Sequence, residues 1–451
     1  MAFSSVPFIA FFLPAVFLIC AALKNRTAWQ NAVLLAASLF SYAHGDTFKV
    51  LLLLTCAWVS WYCAKKISET DMEASRKKWM LLGILANVGM LVICKYTGFL
   101  ADTINVVFGL HLPVPRFALP LGISFFSFQA VSFVVDIKRD KHAVPPDFFT
   151  VLLYLSLFPQ LIAGPIVRWD TVCEQFKKRK MGFDNAVSGL CRFAVGLAKK
   201  VLLADVLAQV ADSAFAAAPL QTDTAFLWFG AISYMLQIYL DFSGYSDMAL
   251  GIGEMFGFSL PENFNRPLAA RSMRMFWRRW HMTLTAWFTQ YVYIPLGGSR
   301  AGQARTCLNI GIVFLLTGIW HGADWSFLIW GMLNGTLVLL ERAPFFKVEK
   351  WPKTLSHLYT LLMVMMGFVI FRAENLTHAL NYFQGLFAFQ ANAQQWMLSL
   401  SPLNILSFGA AAVTAILPRR KYPPSLCFIL LVLALMSIAA AGYHPFIYFR
   451  F

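Results

Sequence analysis

Charge is what this chain has least of: 13% of its 451 residues are Asp, Glu, Lys or Arg, about half the share of an average soluble domain. With 59% hydrophobic and 16% aromatic residues, that scarcity excludes a water-soluble globule. Negative charge is scarcer still. The 22 Asp and Glu against 37 Lys and Arg leave a formal +15, and in so apolar a chain the excess marks cytoplasmic loops before it suggests nucleic acid. Cys20, Cys56, Cys63, Cys94, Cys173, Cys191, Cys307 and Cys427 are scattered, mostly inside apolar runs, with no CxxC pair; no disulfide framework follows. No HExxH is present, and His44, His111, His142, His357, His378 and His444 fall mostly in expected loops at no ligand-like spacing, which sets metal catalysis aside. The absence of a Walker loop and of a GxSxG elbow argues against an ATP-driven pump or a serine hydrolase of that type. There is also no short-period repeat and no low-complexity tract.

What the chain does have is apolar blocks of roughly 17 to 22 residues, the length a helix needs to cross about 30 Å of hydrocarbon. They predict an all-α, polytopic integral membrane protein, one domain over 1–451. Spans are expected at Val6–Leu23, Trp29–Tyr42, Phe48–Ala64, Trp79–Leu100, Phe117–Val135 and Phe148–Val167. A second set is expected at Phe226–Tyr239, Leu308–Trp320, Trp325–Leu340, Leu355–Phe371, Leu403–Leu417 and Leu426–Gly442. That makes about a dozen, with Ala186–Leu197 and Tyr382–Leu400 read as surface or re-entrant helices. No basic stretch precedes the first span, so it is expected to remain rather than be cleaved as a signal peptide. Lys24 and Arg26, then Lys65, Lys66, Arg76, Lys77 and Lys78, then Lys138, Arg139 and Lys141 occupy alternate loops. The positive-inside rule puts these in the cytoplasm and the N-terminus outside, and Arg419, Arg420 and Lys421 do the same for the last connection, leaving the C-terminus outside.

Polar residues within apolar stretches cost several kcal/mol unless they are paired or face a cavity. Three regions stand out. In Phe158-Pro-Gln-Leu-Ile-Ala-Gly-Pro-Ile-Val-Arg168, two prolines and a glycine break a hydrophobic run, either as a kinked helix with satisfied carbonyls or as the wall of a wet cavity. In Asp241-Phe-Ser243-Gly-Tyr-Ser-Asp247, on to Asn263-Phe-Asn-Arg266-Pro, carboxylates and hydroxyls should face the protein interior. Arg266, Arg271, Arg274, Arg278 and Arg279 follow, interleaved with Phe276, Trp277 and Trp280; they suit a phosphate-bearing ligand or an ordinary interfacial anchor. In Thr317-Gly-Ile-Trp320-His321-Gly322, a histidine between two spans can titrate near neutral pH, with Gly322 leaving room for a substrate to approach. Taken alone, such a histidine is more often a hydrogen-bonded structural group than a base. Its candidate partner is His281.

Together, Asp241-Phe-Ser-Gly-Tyr-Ser-Asp247, Asn263-Phe-Asn-Arg-Pro267, Phe276-Trp-Arg-Arg-Trp-His281, Tyr291-Val-Tyr-Ile-Pro-Leu-Gly-Gly298 and Trp320-His321-Gly322 resemble the membrane-bound O-acyltransferase family. The likeness covers most of the chain and is greatest to the branch that O-acetylates alginate and peptidoglycan. It implies helices around a central tunnel, with His321 at its middle and His281 near the cytoplasmic mouth. Thr289-Gln290 replaces the Arg-Asp often found in that branch. The ending Phe446-Ile-Tyr448-Phe-Arg-Phe451 resembles the branch's aromatic tail, in which a tyrosine relays the acyl group; an interfacial aromatic belt is the plainer alternative. The ending is read as a natural terminus.

The resemblance implies an acetyltransferase of the bacterial inner membrane that takes acetyl from cytoplasmic acetyl-CoA, with no bound cofactor, for O-acetylation of an envelope polysaccharide. His321 would be the general base on the accepting hydroxyl, Tyr448 itself being one candidate. His281 would position or polarise the donor, Arg278 and Arg279 would meet its phosphates, and Asp241, Ser243 and Asp247 would support the tunnel wall. Asn263, Trp280, Trp320 and Gly322 complete the expected substrate site. A separate extracytoplasmic SGNH-type transferase is the implied partner, alongside membrane lipids. The competing class is a transporter or channel in which broken helices line a path and histidines relay protons.

Overall fold

The computed structural model describes residues 3–24, 26–44, 47–115, 119–391, 401–418 and 422–441. Every regular element among them is helical, as the length of the apolar blocks predicts. The chain divides into two compact units, Met1–Phe193 with Ser246–Pro261, and Ala194–Tyr245 with Glu262–Phe451. Tyr448 and the rest of the aromatic tail lie outside the described residues.

The first unit contains α1 (Leu13–Ala22), entered through a π turn at Phe8–Phe12, then α2 (Thr27–Ala43), α3 (Thr47–Ser68), α4 (Glu73–Phe108) and α5 (Ile123–Arg139). After these come α6 (Phe148–Ser156), α7 (Phe158–Leu161), α8 (Trp169–Lys177) and most of α9 (Phe183–Ala198). Helices α3 and α4 are long and apolar enough to cross a membrane. Leu85, Ile93 and Val106 on α4 are exposed, as side chains that face hydrocarbon should be. Polar residues inside the unit stitch helices together. Asn87 donates to Gly83 O at 2.8 Å and to Ser60 Oγ at 3.1 Å, and accepts from Cys56 Sγ at 2.8 Å. Buried Arg76 donates to the carbonyls of Ile67 at the end of α3 and of Lys138 near the end of α5, at 3.0 and 3.2 Å. It satisfies orphan carbonyls at two helix C-termini, where a positive charge is favoured.

Helix α5 begins at Ile123, later than expected from Phe117. Gly122 supplies the left-handed turn (φ 79°), and a Cβ there would strike the Leu161 carbonyl. The expected span Phe148–Val167 is broken at Leu157. The freed backbone is met by side chains: Phe158 N–H donates to Ser38 Oγ (3.1 Å), Gln160 to the Tyr154 carbonyl (2.6 Å) and Tyr154 to the Val167 carbonyl (2.8 Å). The break is a buried one with satisfied carbonyls, which answers the alternative left open by the sequence.

The second unit holds α10 (Asp205–Ala216), preceded by a π turn at Lys199–Ala204, and α11 (Thr224–Met255) as far as Tyr245. It continues with α12 (Met273–Trp277), α13 (Met282–Phe288), α14 (Gln303–His321), α15 (Trp325–Leu340), α16 (Lys353–Arg372), α17 (Leu376–Gly385), α18 (Pro402–Ile416) and α19 (Pro424–Ala441). Tyr234, Phe242, Phe276, Trp280, Phe368 and Phe371 are central to its core. Helices α14 and α15 form a tight hairpin: a Cβ on Gly318 would strike the Phe327 carbonyl, and one on Gly331 the Phe314 carbonyl.

Among the described residues five helices, α3, α4, α11, α14 and α16, have the length and apolarity to span a membrane. Shorter apolar stretches at Phe8–Ala22, Trp325–Leu340, Pro402–Ile416 and Pro424–Ala440 coincide with expected spans. The chain is a multi-pass membrane protein. Helix α11 is the main departure, running past the expected end at Tyr239 to Met255, with Asp241 and Asp247 neutralised by Lys200 and Arg192.

Candidate active site

His321 is the last residue of α14. Gly322 leaves the helix in extended conformation, and Asp324 starts α15 by accepting from Ser326 N–H at 2.8 Å, a cap of about 1 kcal/mol. The imidazole is 5% exposed and packs edge-to-face on Trp320, Trp330 and Phe371, with centroids 4.9, 5.0 and 5.2 Å away. The room expected beside Gly322 is filled by the Phe327 ring, which a Cβ there would strike.

His281 caps α13 in left-handed conformation, φ 43° and ψ 53°. Two backbone bonds hold it so: Met282 N–H donates to Asn263 O and Asn265 N–H to Arg279 O, both at 2.9 Å. Such a conformation costs about 1 to 3 kcal/mol, and histidine is among the residues that enter it more readily. His281 Nδ1 lies 3.0 Å from Asn263 Oδ1. The ring meets Phe242 at 4.9 Å and Trp320 at 6.0 Å. Burial pushes its pKa down to about 3, so it is neutral at neutral pH. Asn263, His281, Trp320 and His321 therefore gather in one buried cluster, linked through Trp320.

Beside this cluster lies a cavity of about 280 Å³ whose walls include Arg274, Trp277, Arg278, Tyr293, Thr317 and Arg342. Thr317 stands four residues before His321, one helical turn away on the same face. Trp277 packs on Trp330 at 5.7 Å, and Trp330 packs on His321. Trp277 Nε1 is buried with no hydrogen-bond partner among the described residues. Arg274 pairs with Glu349 at 3.3 Å. Glu341 accepts from the backbone N–H groups of Met273 (2.6 Å) and Arg274 (3.0 Å) and so caps α12 from across the unit; burial raises its pKa.

The remaining expected residues take other positions. Arg279 lies off the cavity; burial and the charges of Arg266 and Arg271 lower its pKa. Trp280 is stacked on Phe276 in the core, centroids 5.5 Å apart. Asp241 pairs with Lys200 at 2.9 Å, Lys200 also holds Asp205, and Asp247 pairs with Arg192 at 3.0 Å. Ser243 is wholly buried, its hydroxyl unpartnered among the described residues. Sequence reasoning missed Lys200, Arg192 and Arg342. The one signal for them was position, a cation in or directly after an apolar run. No group of three or more His, Cys, Asp and Glu able to hold a metal occurs among the described residues.

Fold and site thus define a multi-pass helical membrane protein with a buried histidine pair beside a basic cavity. Residues 40–381 match MBOAT, the membrane-bound O-acyltransferase family, and the chain belongs to that family. It is an acyltransferase. It is 38% identical to a probable alginate O-acetylase of Azotobacter vinelandii, over 88% of this chain and 80% of the relative. It is 37% identical to a peptidoglycan O-acetyltransferase of Helicobacter pylori, over 85% and 79%. A teichoic acid D-alanyltransferase of Bacillus subtilis is 25% identical, over 59% and 72%.

Proposed function

We propose that the protein takes an acetyl group from acetyl-CoA on the cytoplasmic side of the bacterial inner membrane and passes it across for O-acetylation of an envelope polysaccharide. An alginate-like polymer and peptidoglycan are the acceptors suggested by the relatives' names. The observation that carries this is the cavity itself, lined in part by Arg274, Arg278 and Arg342 and by Thr317, one turn from His321. Arginine forks suit the phosphates of a coenzyme A donor. His321 takes the proton of the accepting hydroxyl, the oxygen attacks the thioester carbonyl carbon, the carbon–sulfur bond breaks, and the coenzyme A thiolate leaves and recovers the proton. Tyr448, on an extracytoplasmic C-terminus, is the proposed relay; a phenol of pKa about 10 needs a base at neutral pH. Transfer to the polysaccharide falls to a separate SGNH-type partner.

The test is the intact mass of the purified protein after incubation with isotopically labelled acetyl-CoA, alongside His321→Ala and Tyr448→Phe. Label on Tyr448, lost in both variants, supports donor, base and relay together. Labelled acetate released in a His321-dependent way without protein label removes the relay and keeps the enzyme reading. No His321-dependent turnover even with the partner present overturns it.

A further inference from the structure

Asn263 and Thr283 determine which nitrogen of His281 carries its proton. Thr283 donates to Asn263 Oδ1 through its backbone N–H at 3.4 Å and its hydroxyl at 2.9 Å. A backbone N–H can only donate, so the atom it meets is the amide oxygen, which can only accept. His281 Nδ1, 3.0 Å from that same oxygen, must therefore bear the hydrogen. In a neutral imidazole the other nitrogen then has a lone pair and no hydrogen. His281 Nε2 is buried, and no donor among the described residues reaches it. A buried acceptor in that condition is unfavourable until something donates to it.

We propose that Asn263 is a positioning residue that locks His281 in the Nδ1–H tautomer, so that its Nε2 accepts a hydrogen bond from an amide N–H of the acyl donor's pantetheine arm. This rests on the acyl-transfer reading and narrows it. A nitrogen without hydrogen cannot donate to the thioester carbonyl, so polarising the donor is closed to neutral His281 while positioning it is open. The accepting hydroxyl has one proton, which goes to His321. The hydrogen-bond donors left near the thioester are the amide N–H groups of the arm. The left-handed backbone of His281, clamped by the Asn263 and Arg279 carbonyls, fixes the direction of that lone pair.

The first measurement is independent of turnover: 15N-histidine spectra of the detergent-solubilised protein, with His281→Gln assigning the signal. The expected spectrum has a protonated Nδ1 and an unprotonated Nε2, a preference lost in Asn263→Leu. A protonated Nε2 in the wild type overturns the tautomer lock, whether or not the enzyme turns over. The second is the Michaelis constant for donor against pH. Asn263→Asp keeps the accepting oxygen but puts a carboxylate beside Nδ1–H, which should raise the imidazole pKa by about 1 to 3 units. Below the raised value KM should climb about tenfold per pH unit as Nε2 gains a proton, with kcat at saturation changed less. A flat profile overturns the proposal. The third compares S-acetyl-N-acetylcysteamine with an acetyl thioester of propanethiol. Wild type should favour the amide-bearing donor and His281→Phe should not; equal use by wild type overturns the amide assignment. If the spectra show the expected tautomer but no donor is turned over, the acyl-transfer reading fails and the lock stands.

Discussion

Asn87 in the first unit and Asn263 in the second are equally buried, at 0% and 1% exposed, yet they do different things. Asn87 closes its hydrogen bonds within the protein, on a backbone carbonyl, a serine and a cysteine of neighbouring turns. Asn263 passes its order to a ring whose far nitrogen stays open. The same contrast extends around each residue. Arg76 in the first unit caps carbonyls of α3 and α5, whereas Arg278 and Arg342 in the second line a cavity. A buried amide whose hydrogen bonds close on its neighbours holds helices together; one that orders a ring with an open lone pair is poised for a ligand.

The largest effect is expected at the site. His321→Ala should lower labelled acetyl transfer by about 10²- to 10⁴-fold while leaving thermal unfolding in detergent close to wild type. If unfolding moves as far as activity, His321 belongs with Asn87 rather than with Asn263. Next, Lys200→Met strands Asp241 and Asp205 without their cation and should cost about 3 to 5 kcal/mol, read from unfolding in detergent; unchanged stability would show that these carboxylates do not need it. Asn87→Ala should cost about 1 to 3 kcal/mol of stability with kcat of the folded fraction unchanged. Asn263→Ala should do the reverse, losing more turnover than stability, and the comparison breaks if the two variants behave alike.

A further effect is a pH dependence, small within one unit of neutrality and accumulating only toward acid. His281 has its pKa depressed by burial, from 6.5 to about 3. As pH falls below 6.5 the unfolded chain takes up the proton and the folded chain does not, so stability present above 6.5 is lost toward pH 3. The slope should be about 1.4 kcal/mol per pH unit, taken as the difference between wild type and His281→Gln. Parallel curves would mean that His281 is not held neutral.

Much of the fold could be read directly because hydropathy is local. The expected span Trp325–Leu340 coincides with α15, and Leu355–Phe371 falls within α16. Helix α11 outruns its apolar stretch because Asp241 and Asp247, which in sequence mark the end of a membrane helix, are paired with Lys200 and Arg192. At the site, His321 is legible as a polar group between two apolar spans and His281 as the end of the arginine- and tryptophan-rich run, and the structure gathers them. Arg278 and Arg279 were indistinguishable in sequence, yet successive positions face different ways on a helical turn, and only Arg278 lines the cavity.

That the chain is helical, lies in a membrane and carries His281 and His321 in two short motifs follows from residues that are neighbours along the chain. The tertiary structure decided which carboxylates are neutralised, which arginines line a cavity and which nitrogen of His281 carries hydrogen. Those depend on atoms brought within about 3 Å from distant segments, where hydrogen bonds and ion pairs act, and no local pattern encodes that approach.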